Sequence, residues 1–493
     1  MAPGVAVSLA PFSPPAREAL ACLSALLGPG RPAWVVGGSL RDSLLGHPVG
    51  DLDVALPSGA LTMGRALADR LGGAFVALDE RRGAARVVGT VQVDLTDFRG
   101  PTLADDLRAR DFTVNALAAP LHPLVSQGRA AVEDPTGGLR DLADRLVRLC
   151  APAALRDDPV RALRGVRLAL LPAWNLHPEV EAAAREVAPA ILTVSAERVR
   201  DELAALLAGP RAGSGLRTLD RLGVLPVLLP ESRAMRETLQ PAPHRFDVWE
   251  HSLRAVEAAD VLAGSPESLG SQREPVASHL GEGLGDRLTR RETLKLAALL
   301  HDVAKPETRS EVDGRVRFIG HDLKGAERAG EAARRLRLSR HAGEVIQRLV
   351  RHHLRLMHLA QAGAITRRAR HRFFRDLGEE ALDLMLLAVS DAAAVRGDSP
   401  VDIWNGPGGR VMRELLAAAP EEAESASMPP LLRGKEVMDA FRLDPGPEVG
   451  RLLALAREAQ ALGLVSSREE ALAYLRGSAG SPGPGLDTPP EGP

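Results

Sequence analysis

The stretch VVGGSLRD at residues 35–42, together with DLD at residues 51–53, decides the fold of the N-terminal part of this chain. Two valines typical of a strand lead into a glycine pair and a helix start, and two carboxylates return on the next predicted strand. Alternate side chains of a strand lie on one face, so Asp51 and Asp53 are predicted to point the same way. Two like charges this close need a cation, and a divalent metal that also binds phosphate oxygens would supply it. The pattern predicts a phosphoryl- or nucleotidyl-transfer site, with an ordinary tight turn beside a solvated strand edge as the alternative.

The composition limits the protein class. A chain of 493 residues is too long for one hydrophobic core, and its 3% aromatic content with abundant Leu, Ala and Arg favours several mostly helical domains. The net charge of −2 means that any nucleic-acid surface is local; the best candidate is the arginine-rich run at residues 140–167, with a solvated helix face as the alternative. Cys22 and Cys150 have apolar neighbours, which argues against a disulfide scaffold or a cysteine metal site. Without a signal sequence or a membrane-spanning apolar run, a cytoplasmic protein with no membrane partner is expected.

The pattern of apolar residues divides the chain into a strand-rich head followed by helical parts, a mostly α fold class. Strands are predicted at residues 34–36, 52–56, 86–88 and 91–95, the only strand-rich region. The predicted parts are an α/β head at residues 15–125, a helical neck and body at 126–238, an all-α domain at 245–400, a C-terminal helical region at 401–477 and a disordered tail at 478–493.

Three further local predictions concern the helical parts. Helices are expected at residues 197–207 and 216–222 from their apolar spacing. Residues 263–290 are rich in Gly, Ser, Glu and Arg and are interpreted as a mobile insertion. Ser466 and Ser467, followed by Glu470, are typical of a capped helix start.

Four motifs occur in a fixed order along the first half of the chain. After GGSLRD at 37–42 with its DLD come RDFTVNAL at 110–117, DPTGG at 134–138 and DDPVR at 157–161. Together they resemble the class II tRNA nucleotidyltransferase and bacterial poly(A) polymerase superfamily over residues 30–230. Several motifs in order are far more specific than any one of them.

The resemblance implies a nucleotidyltransferase head that uses Mg²⁺, with ATP and CTP as substrates. Asp51 and Asp53 would hold the metal, and Asp94 occupies the place of a third carboxylate. Asp97, three residues beyond Asp94, is expected to point elsewhere. The reaction would be attack of an RNA 3′-hydroxyl on the α-phosphorus of the nucleotide. The implied nucleotide-binding residues are Gly38, Arg41, Arg110, Asp111, Asn115, Asp158, Arg161, Arg164 and Arg167.

Within this set, Asp158 and Arg161 are spaced three apart and are expected to share a helix face from which they read the base edge. Arg164 and Arg167 continue that face and suit phosphates. Simpler interpretations remain open: helix capping for Asp111 and Asn115, and a helix salt bridge for Asp158 with Arg161.

The chain departs from the family pattern at two places. Asp157 stands where Glu is usual. Only residues 100–107 separate the Asp94 strand from Arg110, whereas many complete CCA-adding relatives carry a longer flexible loop there. The sequence therefore leaves full CCA addition, CC-only addition and A-only addition open.

A second set of polar residues lies in the predicted all-α domain. The adjacent pair His301 and Asp302 ends an apolar helical run, and burying such groups is costly unless they are paired or bind metal. With His251 and Asp391 they resemble the metal ligands of the HD phosphohydrolase superfamily, which implies a divalent transition metal or Mg²⁺. Lys305 is a candidate phosphate contact. The candidates for a second metal are His321, His352 and His353.

His352 and His353 are neighbours about 100° apart on a helix, so they are not expected to share one metal, and one of them is a candidate contact to substrate phosphate.

The C-terminal motifs LLRGKE at 431–436 and PGPEVG at 445–450 also resemble the family and imply tRNA as a partner. The leading hypothesis is a tRNA nucleotidyltransferase fused to a metal-dependent HD phosphohydrolase domain. Two alternatives stay open: a poly(A) polymerase, and an HD phosphohydrolase whose head only binds RNA. The sequence leaves the oligomeric state undetermined.

Overall fold

A computed structural model describes residues 5–264, 269 and 273–478 of the chain. It divides into two units, the first comprising residues up to 231 with 335–337, and the second comprising the rest. The predicted tail lies outside the described residues except for Ser478. The fold class predicted from the sequence, mostly helical with one α/β part at the N-terminus, is confirmed.

The first unit contains one large sheet, in the strand order β4-β5-β6-β3-β2-β7, in which β3 and β6 run parallel and the other neighbours antiparallel. Its strands are β1 Ala6–Ser8, β2 Trp34–Val36, β3 Leu52–Leu56, β4 Ala74–Asp79, β5 Ala84–Val88, β6 Gln92–Asp97, β7 Ala118–Pro120, β8 Arg129–Ala131, β9 Leu146–Val147 and β10 Asn175–Leu176. Its α-helices are α1 Pro14–Leu27, α2 Gly37–Leu44, α3 Ala60–Leu71, α4 Leu103–Arg108, α5 Leu121–Gln127, α6 Gly138–Ala143, α7 Ala154–Asp157, α8 Arg161–Ala169, α9 Pro178–Val187, α10 Ala196–Leu207, α11 Ala212–Arg221 and α12 Leu225–Leu228, with short 3₁₀ helices at Thr113–Asn115 and Ala188–Thr193.

All four predicted strands are present in this sheet, as β2, β3, β5 and β6. The alternation that revealed them reflects burial: Leu52 and Val54 are buried on β3, as are Val93 and Leu95 on β6. The strand β4 was missed because it is an edge strand with mostly exposed side chains, so it lacks an apolar face. The predicted helices at 197–207 and 216–222 correspond to α10 and α11.

The packed core of the head extends beyond residues 15–125. The short strand β1 pairs with β8, which brings the chain before α1 alongside residues 129–131. Val7, Phe12 and Ala130 belong to the same buried cluster as the sheet residues. The β1–β8 pair therefore extends the head at both its N-terminal and its C-terminal boundary. Strands of three residues are too short to show a pattern in the sequence.

The second unit is built almost entirely from helices, and α14 packs against both α16 and α22. Its helices are α13 Ser232–Glu237, α14 Val248–Gly264, α15 Arg273–Leu280, α16 Arg290–Leu300, α17 Lys305–Thr308, α18 His321–Arg335, α19 Arg340–His352, α20 Arg355–Gln361, α21 Arg367–Leu377, α22 Ala381–Arg396, α23 Pro400–Asn405, α24 Arg410–Ser427, α25 Gly434–Phe441, α26 Pro447–Ala461 and α27 Arg468–Ser478. Short 3₁₀ helices lie at Gly378–Glu380 and Pro407–Gly409, and the hairpins are β11 Gly283–Gly285 with β12 Leu288–Thr289, and β13 Ser310–Val312 with β14 Arg315–Arg317.

The interpretation of residues 263–290 as a mobile insertion is wrong for most of that segment, although residues 265–268 and 270–272 lie outside the described part. Residues 273–290 form α15, the β11–β12 hairpin and the start of α16. Four apolar residues spaced four apart, Val276, Leu280, Leu284 and Leu288, are buried. The polar composition of the segment concealed this spacing.

Two short hairpins, β11–β12 and β13–β14, lie in the second unit, outside the strand-rich head. The predicted cap is confirmed: the Glu470 side chain accepts hydrogen bonds from Ser466 and Ser467, and the Ser467 hydroxyl accepts one from the Glu470 amide at the start of α27. Among the described residues, no helix combines the length and the apolar character needed to cross a membrane.

Gly138 is predicted to be sensitive to a single methyl group. A Cβ at this position would lie 2.1 Å from the carbonyl oxygen of Thr113, a backbone atom that cannot rotate away. Gly138→Ala should therefore lower the free energy of unfolding by about 2 kcal/mol, measured by urea denaturation. Gly434→Ala is the matched control, because a Cβ there meets nothing within 4 Å. Equal stability of the two variants would contradict the packing described here.

Candidate functional site

The glycine turn after β2 brings the backbone of α2 against Asp53. Gly37 has a φ of +68°, and a Cβ there would lie 2.8 Å from Asp53 Oδ2, so only glycine fits without a shift. The Gly38 amide donates to Asp53 Oδ2 at 3.1 Å. The Asp53 amide donates to Ser39 Oγ at 2.7 Å. The turn therefore fixes Asp53 at the N-terminus of α2, where amide groups also favour phosphate.

The three carboxylates predicted for the head differ in their surroundings. Asp53 and Asp94 are register partners on the parallel strands β3 and β6, whereas Asp51 lies exposed just before β3. Arg86 on β5 donates two hydrogen bonds of 2.7 Å to Asp94. Both oxygens of the Asp94 carboxylate are thus already hydrogen-bonded to Arg86. The role of Asp94 as a third metal ligand remains a prediction, and it requires the Arg86 side chain to move away.

Asp53 has the charge environment of a metal ligand. Burial raises the pKa of its carboxyl group; Arg110 lowers the pKa, and the nearby carboxylate of Asp94 raises it again. The balance lies above the ordinary value, so the neighbouring groups do not fully compensate the buried negative charge. A divalent cation held by Asp51 and Asp53 would supply the missing compensation. As expected, Asp97 points away: its Oδ1 accepts a hydrogen bond from the Ala60 amide at the start of α3.

A continuous polar network runs from the glycine turn into the helical neck. Arg41 Nη1 donates to Asn115 Oδ1 at 2.8 Å, and Asn115 Nδ2 donates to Asp111 Oδ1 at 3.3 Å. Arg164 on α8 then donates to Asp111 Oδ2 at 3.1 Å. Burial raises the pKa of the Asp111 carboxyl group, but Arg164 and the Phe112 amide together lower it by a larger amount, so the net shift is downward. Four predicted nucleotide-binding residues are thus brought together, and Asp111 does more than cap a helix.

The network ends at Glu202, a residue that the sequence analysis missed. Its carboxylate accepts a hydrogen bond from Arg164 Nε at 2.7 Å and another from Arg167 Nε at 3.1 Å. Glu202 is buried on α10, where it shares a face with Val199 and Leu203. An acidic residue on the apolar face of a predicted helix was the available signal, because burying it requires a cationic partner.

Asp158 and Arg161 are not placed by one helix, contrary to the prediction. The helix α7 ends at Asp157, and Asp158 has extended backbone angles, as expected for a residue before proline. The helix α8 begins at Arg161. The Asp158 carboxylate still lies 3.8 Å from Arg161 Nε, and it also accepts a hydrogen bond from Arg198 Nη2 at 2.6 Å. Arg198 is therefore a second arginine partner of Asp158, which the sequence did not reveal.

The arginine-rich run at residues 140–167 is largely neutralised by acidic partners. Arg148 pairs with Asp141, Arg156 with Glu186, and Arg164 and Arg167 with Glu202. Arg110, before this run, is likewise held by Asp106, at 2.9 Å. The run is therefore a set of paired side chains rather than a bare cationic surface.

In the second unit, two groups of three side chains could each hold a metal ion. His251, His301 and Asp391 form one group, and the ligand atoms lie within 4.8 Å of one another. The other group, which meets the same distance limit, is Asp302, His321 and His353.

Asp302 lies between the two groups. Its Oδ2 is 3.2 Å from His301 Nε2, and its Oδ1 is 3.4 Å from His321 Nε2. The Oδ1 atom is buried and accepts no hydrogen bond. Lys305 Nζ donates to Asp302 Oδ2 at 2.6 Å, which agrees with its predicted place beside the site.

The orientation of three imidazoles fits metal binding. The Nδ1 atoms of His301, His321 and His353 each lie within 2.8 Å of a backbone carbonyl oxygen, which can only accept, so Nδ1 carries the proton. Nε2 is therefore the ring atom that each imidazole presents to the centre, and the Nε2 atoms of His321 and His353 lie 3.1 Å apart. Burial lowers the pKa of His301, but Asp302 and Asp391 raise it to about 10. These short distances between lone-pair atoms are stabilised by a cation that lies between them, either a proton or a metal ion.

His352 is the one predicted metal ligand of this domain that belongs to neither group. It is partly buried, and burial together with Arg355 and Arg351 lowers its pKa. Its neighbour His353 reaches the centre instead, as the 100° between successive helix residues predicted.

Comparison with known families agrees with this division. Three family models match: the poly A polymerase head domain at residues 33–102 and 92–148, the probable RNA and SrmB binding site of polymerase A at 175–235, and the HD domain at 248–394. The A-adding tRNA nucleotidyltransferase of Deinococcus radiodurans is 40% identical over 452 residues, which span 90% of this chain and 95% of that protein. The CC-adding enzyme of Thermus thermophilus is 37% identical, with coverage of 90% and 93%.

The chain belongs to the tRNA nucleotidyltransferase family. Solved structures share its fold. A CCA-adding enzyme from Bacillus stearothermophilus in complex with CTP has a TM-score of 0.62 at 23% identity, covering 95% of this chain and 98% of that one. A Thermotoga maritima CCA-adding enzyme complexed with tRNA has a TM-score of 0.55 at 20% identity, with 94% coverage of both chains. The expected family and the HD domain are thereby confirmed, and the curated relatives named here are tRNA nucleotidyltransferases rather than poly(A) polymerases.

Glu202 is predicted to support nucleotide addition by this tRNA nucleotidyltransferase. Glu202→Gln removes the charge that holds Arg164 and Arg167, so kcat/KM for nucleotide addition should fall about tenfold. The control is Glu186→Gln, which breaks an exposed ion pair with Arg156 and should change kcat/KM less than about twofold. Steady-state kinetics with radiolabelled nucleotide measure both. An unchanged value for Glu202→Gln would mean that the network does not position the nucleotide-binding arginines.

Proposed function

We propose that this enzyme transfers CMP or AMP from CTP or ATP to the 3′ end of tRNA and adds only part of the CCA end. The observation that carries the second half of the proposal is the segment at residues 100–107. In many complete CCA-adding relatives a longer flexible loop occupies this place. Here it contains the short helix α4 and leads directly to Arg110.

The packing of this segment leaves little freedom for a loop movement. Thr102 caps α4 by accepting a hydrogen bond from the Asp105 amide. Asp106 is buried; its carboxylate accepts hydrogen bonds from the Arg99 amide and from Arg110. These contacts tie both ends of the segment to one carboxylate, which supports a nucleotide pocket that does not readjust between successive additions.

The chemistry follows from the residues of the head. Asp51 and Asp53 would hold Mg²⁺, which lowers the pKa of the attacking hydroxyl and stabilises the departing pyrophosphate. We assign the contacts to the triphosphate to the amide of Gly38 and the guanidinium of Arg41 on α2. We assign the choice of base to Asp158, supported by its two arginine neighbours Arg161 and Arg198.

For the HD domain we propose a metal-dependent phosphohydrolase. Its support is the pair of ligand groups that meet at Asp302, with the buried and unsatisfied Oδ1 atom between them. A divalent transition metal or Mg²⁺ there would supply a bound hydroxide near neutral pH. To Lys305, whose ammonium group donates to Asp302, we assign the contact to a substrate phosphate.

The extent of tRNA extension is the decisive test of the transferase proposal. The two relatives described above add different nucleotides, so tRNA transcripts that lack CCA, CA or only the final A should be offered CTP alone, ATP alone and both together. The expected result is either A addition to transcripts that lack only the final A, or C addition to transcripts that lack CCA or CA, together with the loss of extension by at least a hundredfold in Asp53→Asn. Complete CCA addition by the single enzyme would overturn partial addition, and no extension at all would overturn the transferase proposal.

The two activities should be separable. His301→Ala removes an imidazole shared between Asp302 and Asp391, so metal-dependent phosphatase activity should fall below one hundredth of the wild-type rate. Nucleotide addition should stay within about twofold, because His301 belongs to the other structural unit. Parallel assays of both activities, with circular dichroism to confirm folding, make the comparison. Loss of both activities in a folded variant would contradict independent sites.

A further inference from the structure

The β13–β14 hairpin stands between two elements of the HD centre. It follows α17, which carries Lys305, and precedes α18, which begins with His321. Asp313 and Gly314 both have positive φ angles, +52° and +69°, as a two-residue type I′ turn requires. An Asp-Gly pair between two short alternating runs was the sequence signal for this hairpin. The hairpin is thus a defined structure attached at both ends to the metal-ligand region.

Phe318 connects the hairpin to the centre. Its carbonyl oxygen accepts the hydrogen bond from His321 Nδ1 at 2.6 Å, so its backbone position is tied to a metal ligand. Its ring lies 5.6 Å from Lys305 Nζ, and that ammonium group donates to Asp302 at 2.6 Å. The Lys305 ammonium group therefore lies close to both the Phe318 ring and the carboxylate of Asp302, which lies between the two ligand groups.

Apolar side chains are exposed on the surface next to Phe318. Phe318 is only partly buried, Ile319 is 70% exposed and Leu323 is 51% exposed. The hairpin also carries Arg315 and Arg317, both exposed. Exposed apolar side chains beside a candidate metal centre that carries the Lys305 ammonium group fit a ligand that joins a flat apolar group to a phosphate. A nucleotide has this combination, since every base has a π-face that can stack on an aromatic ring.

We propose that Phe318 is a specificity-determining residue of the HD site, which stacks on the base of a nucleoside phosphate while Lys305 contacts its phosphate. The proposal rests on the phosphohydrolase function proposed above. In the reaction, water attacks phosphorus, the bond between phosphorus and the ribose oxygen breaks, and that oxygen leaves with a proton as the nucleoside hydroxyl. The ligand is either a free mononucleotide or the terminal nucleotide of an RNA, which share the same recognition chemistry.

Kinetics with matched phosphomonoesters test the proposal. Phe318→Leu keeps an apolar side chain but removes the aromatic face, so KM for adenosine 2′-monophosphate should rise about tenfold, whereas KM for glycerol 2-phosphate, which has no base, should change less than about twofold. Phe318→Trp should restore the low KM. Val312→Ala, on the same hairpin and 45% exposed, is the control and should affect neither substrate.

A fluorescence measurement reports stacking without turnover. In rapid mixing with wild-type protein, 2-aminopurine riboside 2′-monophosphate should be quenched on binding, and Phe318→Leu should abolish the quench. A short RNA ending in the same nucleotide distinguishes the two sources: tighter quenching by the RNA assigns the site to RNA ends, and equal quenching assigns it to mononucleotides. Equal KM changes for both phosphomonoesters, or a quench that survives Phe318→Leu, would overturn the role of Phe318. Hydrolysis of neither phosphomonoester by wild-type protein would instead overturn the phosphohydrolase function itself.

Discussion

The neutralisation of buried carboxylates is the constraint on which both sites of this enzyme depend. A carboxylate removed from water needs a cation or several hydrogen-bond donors, and the chain meets this need in three ways. Asp111 is satisfied by Arg164, which holds its pKa below the ordinary value against the effect of burial. Asp302 is satisfied by Lys305 and by imidazoles, with one oxygen left without a hydrogen bond. Asp53 is the carboxylate of these three whose net pKa shift is upward, with burial as the largest cause, so the protein groups around it compensate its charge least.

This difference separates structure from chemistry within the head. The Asp111 network is complete without a ligand and joins the glycine turn to the helical neck through Asn115, Arg164 and Glu202. Its partners are all protein groups, so it can hold the arginines that are predicted to bind nucleotide in place before a substrate arrives. Asp53 differs from that network, because burial raises the pKa of its carboxyl group and the neighbouring groups do not fully offset this, and such perturbed groups are where metal and phosphate chemistry is expected. The first unit therefore combines a network whose hydrogen bonds are all made by protein groups with a carboxylate, Asp53, that is proposed to bind a metal ion.

The sequence predicted the fold class, the sheet strands that have a buried face and, through its ordered motifs, the family. It could not predict contacts between elements distant in the chain. Glu202 and Arg198 were missed because their significance comes from side chains about forty positions away, which a local pattern cannot show. Asp158 was placed on a helix because spacing alone ignores the effect of Pro159 on the preceding residue. Residues 273–290 were judged by composition, although four apolar side chains spaced four apart were enough to pack them.

The account holds that one chain carries two independent metal centres, one at Asp53 and one at the ligand groups around Asp302. The most direct test is anomalous scattering from crystals of the full chain soaked with Mn²⁺ and a non-hydrolysable CTP or ATP analogue. The account predicts an anomalous peak between Asp51 and Asp53 and further peaks within the two groups that meet at Asp302. Peaks in the HD domain with none at Asp53, while the nucleotide analogue is bound at the glycine turn, would contradict it.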